Sequence, residues 1–353
     1  MFNPTKRSLS LLESYKPPLN GRRSFDGVCL DFNERTKELS SKVARALQQL
    51  DAKDAIMYPE YDGMLEEKIA SYLDVEQDQI VVTNGSDTAI DLIFRNFVET
   101  NDPVVLPTPS FAMFEQSAKA AGANINYAVY EQPDSTLFSR QYADQIDADT
   151  KLVVICNPNN PTGGLISVSE IESLADAYPD TAILVDEAYA EFSGVSVVSL
   201  VKTCPNIIVT RTFSKAFGLA ALRVGYVVAN PAVAEKIRIL AGPYGVNMLA
   251  YETAQVALDD WEATKKYIGE VMKLAKPMTE QFLKQNDIKF YDSSANFVLL
   301  KPANSDKTYQ KLKRAGFLVR PQSKPGIEGC IRLTIGTKQQ MESFITVYRK
   351  ELL

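Results

Sequence analysis

The stretch Leu152-Val153-Val154-Ile155-Cys156-Asn157-Pro158-Asn159-Asn160-Pro161-Thr162-Gly163-Gly164 decides the fold. Its first five residues form an apolar, largely β-branched run with no polar alternation, which marks a strand buried on both faces. Its remainder is dense in Asn, Pro and Gly, so the chain turns sharply where the strand ends. The same unit recurs along the chain. Ile80 to Thr83 runs into Asn84-Gly85-Ser86-Asp87, and Val104 to Leu106 into Pro107-Thr108-Pro109-Ser110-Phe111. Ala182 to Val185 ends at Asp186-Glu187-Ala188-Tyr189. Ile207 to Thr210 leads into Arg211-Thr212-Phe213-Ser214-Lys215-Ala216-Phe217-Gly218, and Val224 to Val228 closes the set.

Helical periodicity fills the gaps. It predicts helices over Glu38–Leu50 (Val43, Ala46, Leu47 and Leu50 on one face), Glu66–Leu73, Phe111–Ala121 and Ser169–Ala177. A further helix runs through Ile90, Leu92, Ile93 and Phe97, with Ser86 as its expected N-cap. Buried strands alternating with helices imply an α/β fold whose mostly parallel sheet is covered on both faces. The pattern changes after about residue 250. A long helical stretch, Tyr251–Gln285, leads to strands near 297–300, 317–319 and 331–333, which read as a smaller α+β C-terminal domain. Residues 1 to about 30, broken by Pro17, Pro18, Gly21 and Gly27, read as an irregular arm. The expected division is an arm at 1–37, a large domain at 38–245 and a small domain at 246–353.

Composition narrows the chemistry. With 353 residues, 45% hydrophobic and 23% charged, the chain is an ordinary globular one, long enough to bury a large core. A formal net charge of −6 argues against nucleic acid and anionic membranes as partners. Met1 to Ser10 carries basic residues with no apolar segment behind them, and no run approaches a membrane span, so the expected location is the cytoplasm. Cys29, Cys156, Cys204 and Cys330 are widely spaced, which fits neither a zinc site nor a disulfide framework, and no metal is expected. There is no histidine at all. Every mechanism that needs an imidazole is excluded, so acid–base work must fall to Lys, Tyr, Asp, Glu or a cofactor.

Open α/β sheets bind ligands beyond the carboxyl ends of their strands, and the strand-end segments carry the candidates. Gly85-Ser86-Asp87 opening a helix suits a phosphate, or is a plain helix cap. Asp186 at the rim of a buried strand needs a cationic partner, which a protonated pyridine nitrogen or a structural salt bridge would supply. Lys215 alone would be a solvated lysine, and the Asn-Pro-rich segment alone a loop. Phe111 alone would be core. Together with Tyr189 and Arg223 they fall along one sheet edge. One ligand accounts for them jointly: an aromatic cation bearing a phosphate arm and an aldehyde.

On these residues the sequence resembles the fold-type-I pyridoxal-5′-phosphate (PLP) aminotransferases, and within them the histidinol-phosphate aminotransferase group. The resemblance runs from about Leu30 to Thr337. It is carried by Asn159-Asn160-Pro161-Thr162-Gly163, Val185-Asp186-Glu187-Ala188-Tyr189, Thr212-Phe213-Ser214-Lys215-Ala216-Phe217-Gly218 and Leu222-Arg223-Val224-Gly225. It implies a large PLP-binding domain built on a seven-stranded sheet. It also implies that Lys215 carries PLP as a Schiff base and shuttles the proton, with Asp186 on the pyridinium nitrogen. Tyr189 and Asn160 would hold the ring oxygen and Phe111 would stack on the ring. Gly85, Ser86, Asp87, Thr212, Ser214 and Arg223 would hold the phosphate. Tyr58 would reach the phosphate of the neighbouring subunit in a homodimer.

The resemblance also assigns Arg332 to the substrate carboxylate or its equivalent, with Arg320, Tyr15 and Asn33 as further substrate contacts. The implied reaction is histidinol phosphate with 2-oxoglutarate to imidazole acetol phosphate and glutamate. Aromatic or broad-specificity transamination comes next, and a decarboxylase acting on threonine phosphate after that. The family's Asn-Pro after Glu34 is replaced here by Arg35-Thr36, which marks this point as a place where the substrate pocket could differ.

Overall fold

A computed structural model describes residues 18–49, 51, 53, 56–130 and 139–353. The first strand, β1 (Val28–Cys29), lies in the segment read as an irregular arm. Seven strands then build the large sheet: β2 (Ile80–Thr83), β3 (Pro103–Thr108), β4 (Asn124–Val129), β5 (Leu152–Cys156), β6 (Ala182–Asp186), β7 (Ile207–Thr212) and β8 (Gly225–Ala229). Their order is β2-β8-β7-β6-β5-β3-β4. Only β8 runs against the rest, pairing antiparallel with both β2 and β7. The mostly parallel α/β sheet is thus present.

The reason the central strands read as unbroken apolar runs is visible in their packing. Every residue of β5, β6, β7 and β8 is buried. Alternate residues feed two different cores. Val153, Ile155, Ile183, Val185, Ile207 and Val209 face one, which continues into the C-terminal part of the chain. Leu152, Val154, Ala182, Leu184 and Ile208 face the other, under helices 85–97, 112–121 and 231–241. The strand absent from the expected set, β4, lies at the sheet edge with most of its side chains at least partly exposed, so no apolar run announces it.

Helix starts differ from expectation for local reasons. The first begins at Ser41, because the Ser40 hydroxyl accepts from Val43 N–H; Leu50 lies outside the described residues. The helix expected to be capped by Ser86 begins at Gly85, with Asn84 as its N-cap. Gly85 has φ +79, and a Cβ there would fall 2.5 Å from Arg223 Nη2, so glycine is favoured and any side chain would have to displace the guanidinium. The long C-terminal helical stretch is three helices, Met248–Asp259, Trp261–Glu270 and Lys276–Gln285. A wide π-type turn at Val271–Ala275 precedes Pro277, which has no N–H to give.

The smaller sheet joins β9 (Lys289–Tyr291), β10 (Phe297–Lys301), β12 (Arg320–Pro321) and β13 (Ile331–Thr334) in the antiparallel order β12-β13-β10-β9. The expected strand near 317–319 is not part of it. Instead β11 (Phe317–Leu318) pairs parallel with β1, so the chain before Leu30 is woven into the C-terminal domain. Helices at 305–314 and 338–352 complete that layer. Among the described residues, no helix is long and apolar enough to cross a membrane.

Candidate active site

The carboxyl ends of β5, β6 and β7, the start of helix 85–97 and Phe111 after β3 surround a cavity of about 580 Å³. It lies where the strand order reverses, the place such sheets present for ligands. Asn160, Asp186, Tyr189 and Lys215 line it together with Ser86, Asp87, Thr212, Ser214 and Arg223.

Asp186 is the last residue of β6 and is 3% exposed. The Thr210 hydroxyl donates to it at 2.9 Å, and the Cys156 thiol is 3.9 Å away. No Lys or Arg among the described residues forms an ion pair with it. Burial pushes its carboxyl up to about 7; the Thr210 bond opposes this and the charges of Asp87 and Glu187 add to it. A cation placed against this oxygen would restore the carboxylate. Lys215 is the mirror case. Burial pushes its ammonium down to about 8, and the positive Arg332 lowers it further. Its Nζ donates to the Phe32 carbonyl at 2.9 Å.

The opposite end is an anion cradle. Arg223, at φ +57, reaches Asp87 at 3.0 Å and Ser214 Oγ at 3.4 Å. Thr212 Oγ1 donates to Ser214 Oγ at 2.9 Å. A Cβ on Gly225 would lie 2.7 Å from Ser86 N, so the backbone closes tightly behind the helix start. A helix N-terminus, two hydroxyls and a guanidinium suit a phosphate dianion.

Tyr189 completes the ring-binding wall. Its hydroxyl oxygen accepts from Asn33 Nδ2 at 3.0 Å, and its ring stands edge-on to Phe297 at 5.2 Å. Burial pushes the phenol up to about 12, so it remains a proton donor.

A second cavity of about 250 Å³ opens from the first, sharing Asn160, Tyr189 and Lys215. Its outer wall holds Arg320, Lys324 and Arg332, and no carboxylate lines it, so it favours an anionic substrate. Arg332 Nη1 donates to Asn160 Oδ1 at 2.5 Å and Nη2 to the Asp31 carbonyl at 2.6 Å. The Arg320 guanidinium lies 5.4 Å from the Phe32 ring centre, and its buried Nη1 has no hydrogen-bond partner among the described residues.

Asn33 and Tyr58 lie away from the places expected of them. Asn33 is fully buried and lines neither cavity; its side chain is spent on Tyr189 and on Thr334. Tyr58 is 77% exposed and packs its ring 4.6 Å from that of Tyr244, away from its own chain's cavity. Tyr15 lies outside the described residues.

Other residues enter that sequence reasoning missed. Lys324 Nζ donates to the Ser110 carbonyl at 2.6 Å. Behind Asp186, the buried Arg211 holds Glu187 through Nε and Nη2 at 2.9 and 2.8 Å, and Glu191 at 3.2 Å. A charged residue in an otherwise apolar strand was the available signal for Arg211, since burial of a charge demands a partner.

The donor set fits PLP. The orphan buried acid suits a pyridinium nitrogen, the cradle suits a phosphate, and Lys215 is an amine that burial brings close to its neutral form.

Comparison with known proteins points the same way. Residues 26–347 match the family model described as aminotransferase class I and II. The histidinol-phosphate aminotransferase of Ruminiclostridium cellulolyticum is 34% identical over 92% of this chain and 92% of its own length. That of Caldanaerobacter subterraneus subsp. tengcongensis is 35% identical with the same coverage of both chains. Among solved structures, histidinol-phosphate aminotransferase from Sinorhizobium meliloti in complex with pyridoxal-5′-phosphate has the same fold, with a TM-score of 0.88, 22% identity and 99% of each chain covered. On its sequence and its site, the chain belongs to the class I and II aminotransferases, enzymes that move amino groups between small amino and keto acids with pyridoxal 5′-phosphate.

Proposed function

We propose that this enzyme transfers the amino group of histidinol phosphate to 2-oxoglutarate, giving imidazole acetol phosphate and glutamate. The observation that carries the substrate is the outer cavity, where Arg320, Lys324 and Arg332 converge with no acid among its lining residues. A phosphate-bearing donor and a dicarboxylate acceptor both suit such a wall. Two relatives about 35% identical that bear this substrate's name support the same reading.

In this reading Asp186 holds the ring nitrogen of PLP, and Tyr189 with the Asn160 amide holds the ring oxygen. Phe111 covers the ring face. Gly85, Ser86, Asp87, Thr212, Ser214 and Arg223 hold the phosphate. Bound there, PLP supplies an electron sink that acidifies the substrate Cα–H bond. Lys215 Nζ removes that proton, and its lowered pKa leaves more of the amine in the neutral form that can accept it. Arg332 and Arg320 orient the substrate's anionic end, and Asn33 supports Tyr189 from behind. Tyr15 remains a candidate for the same anion.

Tyr58 serves the partner's phosphate site in a homodimer. Its exposure, with that of neighbouring Ile56 and Met57, supports this. The arm at 1–37, the cofactor domain at 38–245 and the small domain at 246–353 are the working division, and the cytoplasm is the proposed location.

The test is a spectral titration of the PLP-loaded protein with histidinol phosphate, glutamate, phenylalanine and threonine phosphate in turn. Loss of the visible band with histidinol phosphate and glutamate, far faster than with phenylalanine, is the expected outcome. Conversion only with phenylalanine or other plain amino acids would keep the aminotransferase and discard this substrate. Release of carbon dioxide from threonine phosphate would replace transfer with decarboxylation.

A further inference from the structure

Arg35 follows Glu34, which lines the larger cavity, yet itself lines neither cavity. Its guanidinium is directed at the Lys215 turn instead. Nη1 donates to the carbonyl of Ala216, the residue after Lys215, at 2.9 Å. The same group lies over the Tyr267 ring, 4.3 Å from its centre, a cation–π contact. The stem fills the space above Gly218, where an added Cβ would lie 2.5 Å from Arg35 Cδ. Gly218 has φ +80, so glycine is favoured there twice over.

Neighbouring residues fix the platform from which Arg35 works. Nε donates to the Lys37 carbonyl at 3.2 Å, Thr36 N–H donates to the Tyr267 hydroxyl at 3.2 Å, and Gln340 holds the Thr36 carbonyl at 3.0 Å. The same segment holds the other end of the lysine, since Phe32 offers its carbonyl to Lys215 Nζ. Segment 32–35 therefore grips Lys215 at its tip and just past its root.

We propose that Arg35 is a positioning residue for Lys215: it anchors the backbone of the lysine turn to the Tyr267 helix, so that Lys215 moves between its holding and proton-transfer positions by side-chain rotation alone. The proposal rests on Lys215 being the cofactor lysine. A stacked arginine suits the role because its planar group reaches the Ala216 carbonyl through Nη1 and the Lys37 carbonyl through Nε while lying over the Tyr267 ring, an arrangement that a single ammonium on a flexible stem matches less well. Arg35 acts through geometry. The charges bearing on Lys215 are those of Arg332, Glu34, Asp87 and Arg223.

The experiment compares Arg35→Met, which keeps the stem, and Arg35→Lys, which keeps the charge, with wild type. Three quantities are read: the rate at which cofactor-free protein captures PLP, the pH midpoint of the visible band, and the split between kcat and KM. For Arg35→Met we expect capture and kcat to fall roughly tenfold, the midpoint to move by about half a unit or more, and KM to stay within about twofold. Arg35→Lys should fall between Met and wild type, and it carries the test if the Met variant folds poorly. Unchanged capture and midpoint in both variants would overturn the proposal, as would a change confined to KM, which would put Arg35 in substrate binding. Lys215→Ala is the control for the underlying reading. A borohydride-fixed protein–cofactor adduct that still forms in Lys215→Ala removes that reading, whereas an adduct lost there with a band unmoved in Arg35→Met removes only the role of Arg35.

Discussion

Asn33 Nδ2 donates to the Tyr189 hydroxyl oxygen at 3.0 Å, joining two residues 156 positions apart in the chain. Both Asn33 side-chain atoms are committed, because Oδ1 accepts from the Thr334 hydroxyl at 3.0 Å. Its φ of +56 is one that asparagine tolerates better than most residues. The bond fixes which way the Tyr189 hydroxyl can donate, leaving its proton for the cavity.

Asn33→Ala should therefore lower kcat roughly tenfold, the cost of about one buried hydrogen bond in the transition state. The sharper measurement is a double-mutant cycle with Tyr189→Phe. If Asn33 acts through the phenol, the two losses will be far from additive. Strict additivity would detach Asn33 from Tyr189.

Lys215 gives a pH prediction. Its ammonium is brought down to about 8 from 10.5, first by burial and then by Arg332. A lowered value means the neutral, nucleophilic amine is present at lower pH. PLP capture by the cofactor-free protein should rise with pH through a midpoint near 8. Arg332→Gln removes a nearby positive charge, so the midpoint should move up. A midpoint left in place by Arg332→Gln would deny the two residues any electrostatic contact.

Asp186 titrates in the opposite sense. In the cofactor-free protein its carboxyl is raised from 3.8 to about 7 by burial. The folded chain thus binds a proton that the unfolded chain has released. That contribution to stability is complete below about pH 4 and is lost as pH rises through 7. Asp186→Asn has no such titration. Chemical denaturation should show the Asn variant gaining on wild type between about pH 4 and pH 8, by up to about 4 kcal/mol. A difference that does not change with pH would mean that Asp186 is already neutralised by another group.

Much of this site was legible in the sequence because its residues sit at strand ends, and strand ends are marked by an apolar run meeting Asn, Pro, Gly or a charge. Asp186 was reached in that way, whereas Thr212 and Asn160 took their expected roles from the family resemblance of the segments they stand in. Asn33 was expected as a substrate contact, but its bond to Tyr189 was not, since nothing local says that a loop residue will pass behind that ring. The same limit hid the Phe32 carbonyl, 183 positions from Lys215, and the still more distant pairing of β1 with β11. The edge strand β4 left no apolar run to read. The helix at 338–352 did leave a trace, with Met341, Phe344, Ile345 and Tyr348 buried along one face.

Arg211 was a different kind of omission. It forms a buried ion cluster with Glu187 and Glu191, and Glu187 also accepts from Ser196 and from Val197 N–H. The cluster ties β7 to the turn that carries Asp186 and Tyr189. Arg211→Met would leave two carboxylates without their cation, and should cost about 3–5 kcal/mol of unfolding free energy in denaturant titration. Glu187→Gln should cost less, since Glu191 still neutralises Arg211. Equal costs would mean that packing, and not charge pairing, dominates the cluster.

Tyr58 yields the test of assembly. If it serves the partner's site, each active site combines Lys215 of one chain with Tyr58 of the other. Lys215→Ala alone should be inactive, and Tyr58→Ala should hold PLP weakly. In a mixed dimer of the two, one site lacks both residues, while the other takes Lys215 from the Tyr58→Ala chain and Tyr58 from the Lys215→Ala chain. That second site is complete. Mixing the variants under conditions that exchange subunits should therefore restore activity, up to about a quarter of wild type at equal amounts, where roughly half the dimers are mixed and each has one intact site. Activity no higher than the average of the separate variants would place Tyr58 outside the neighbouring site, and its exposed ring would then need another explanation.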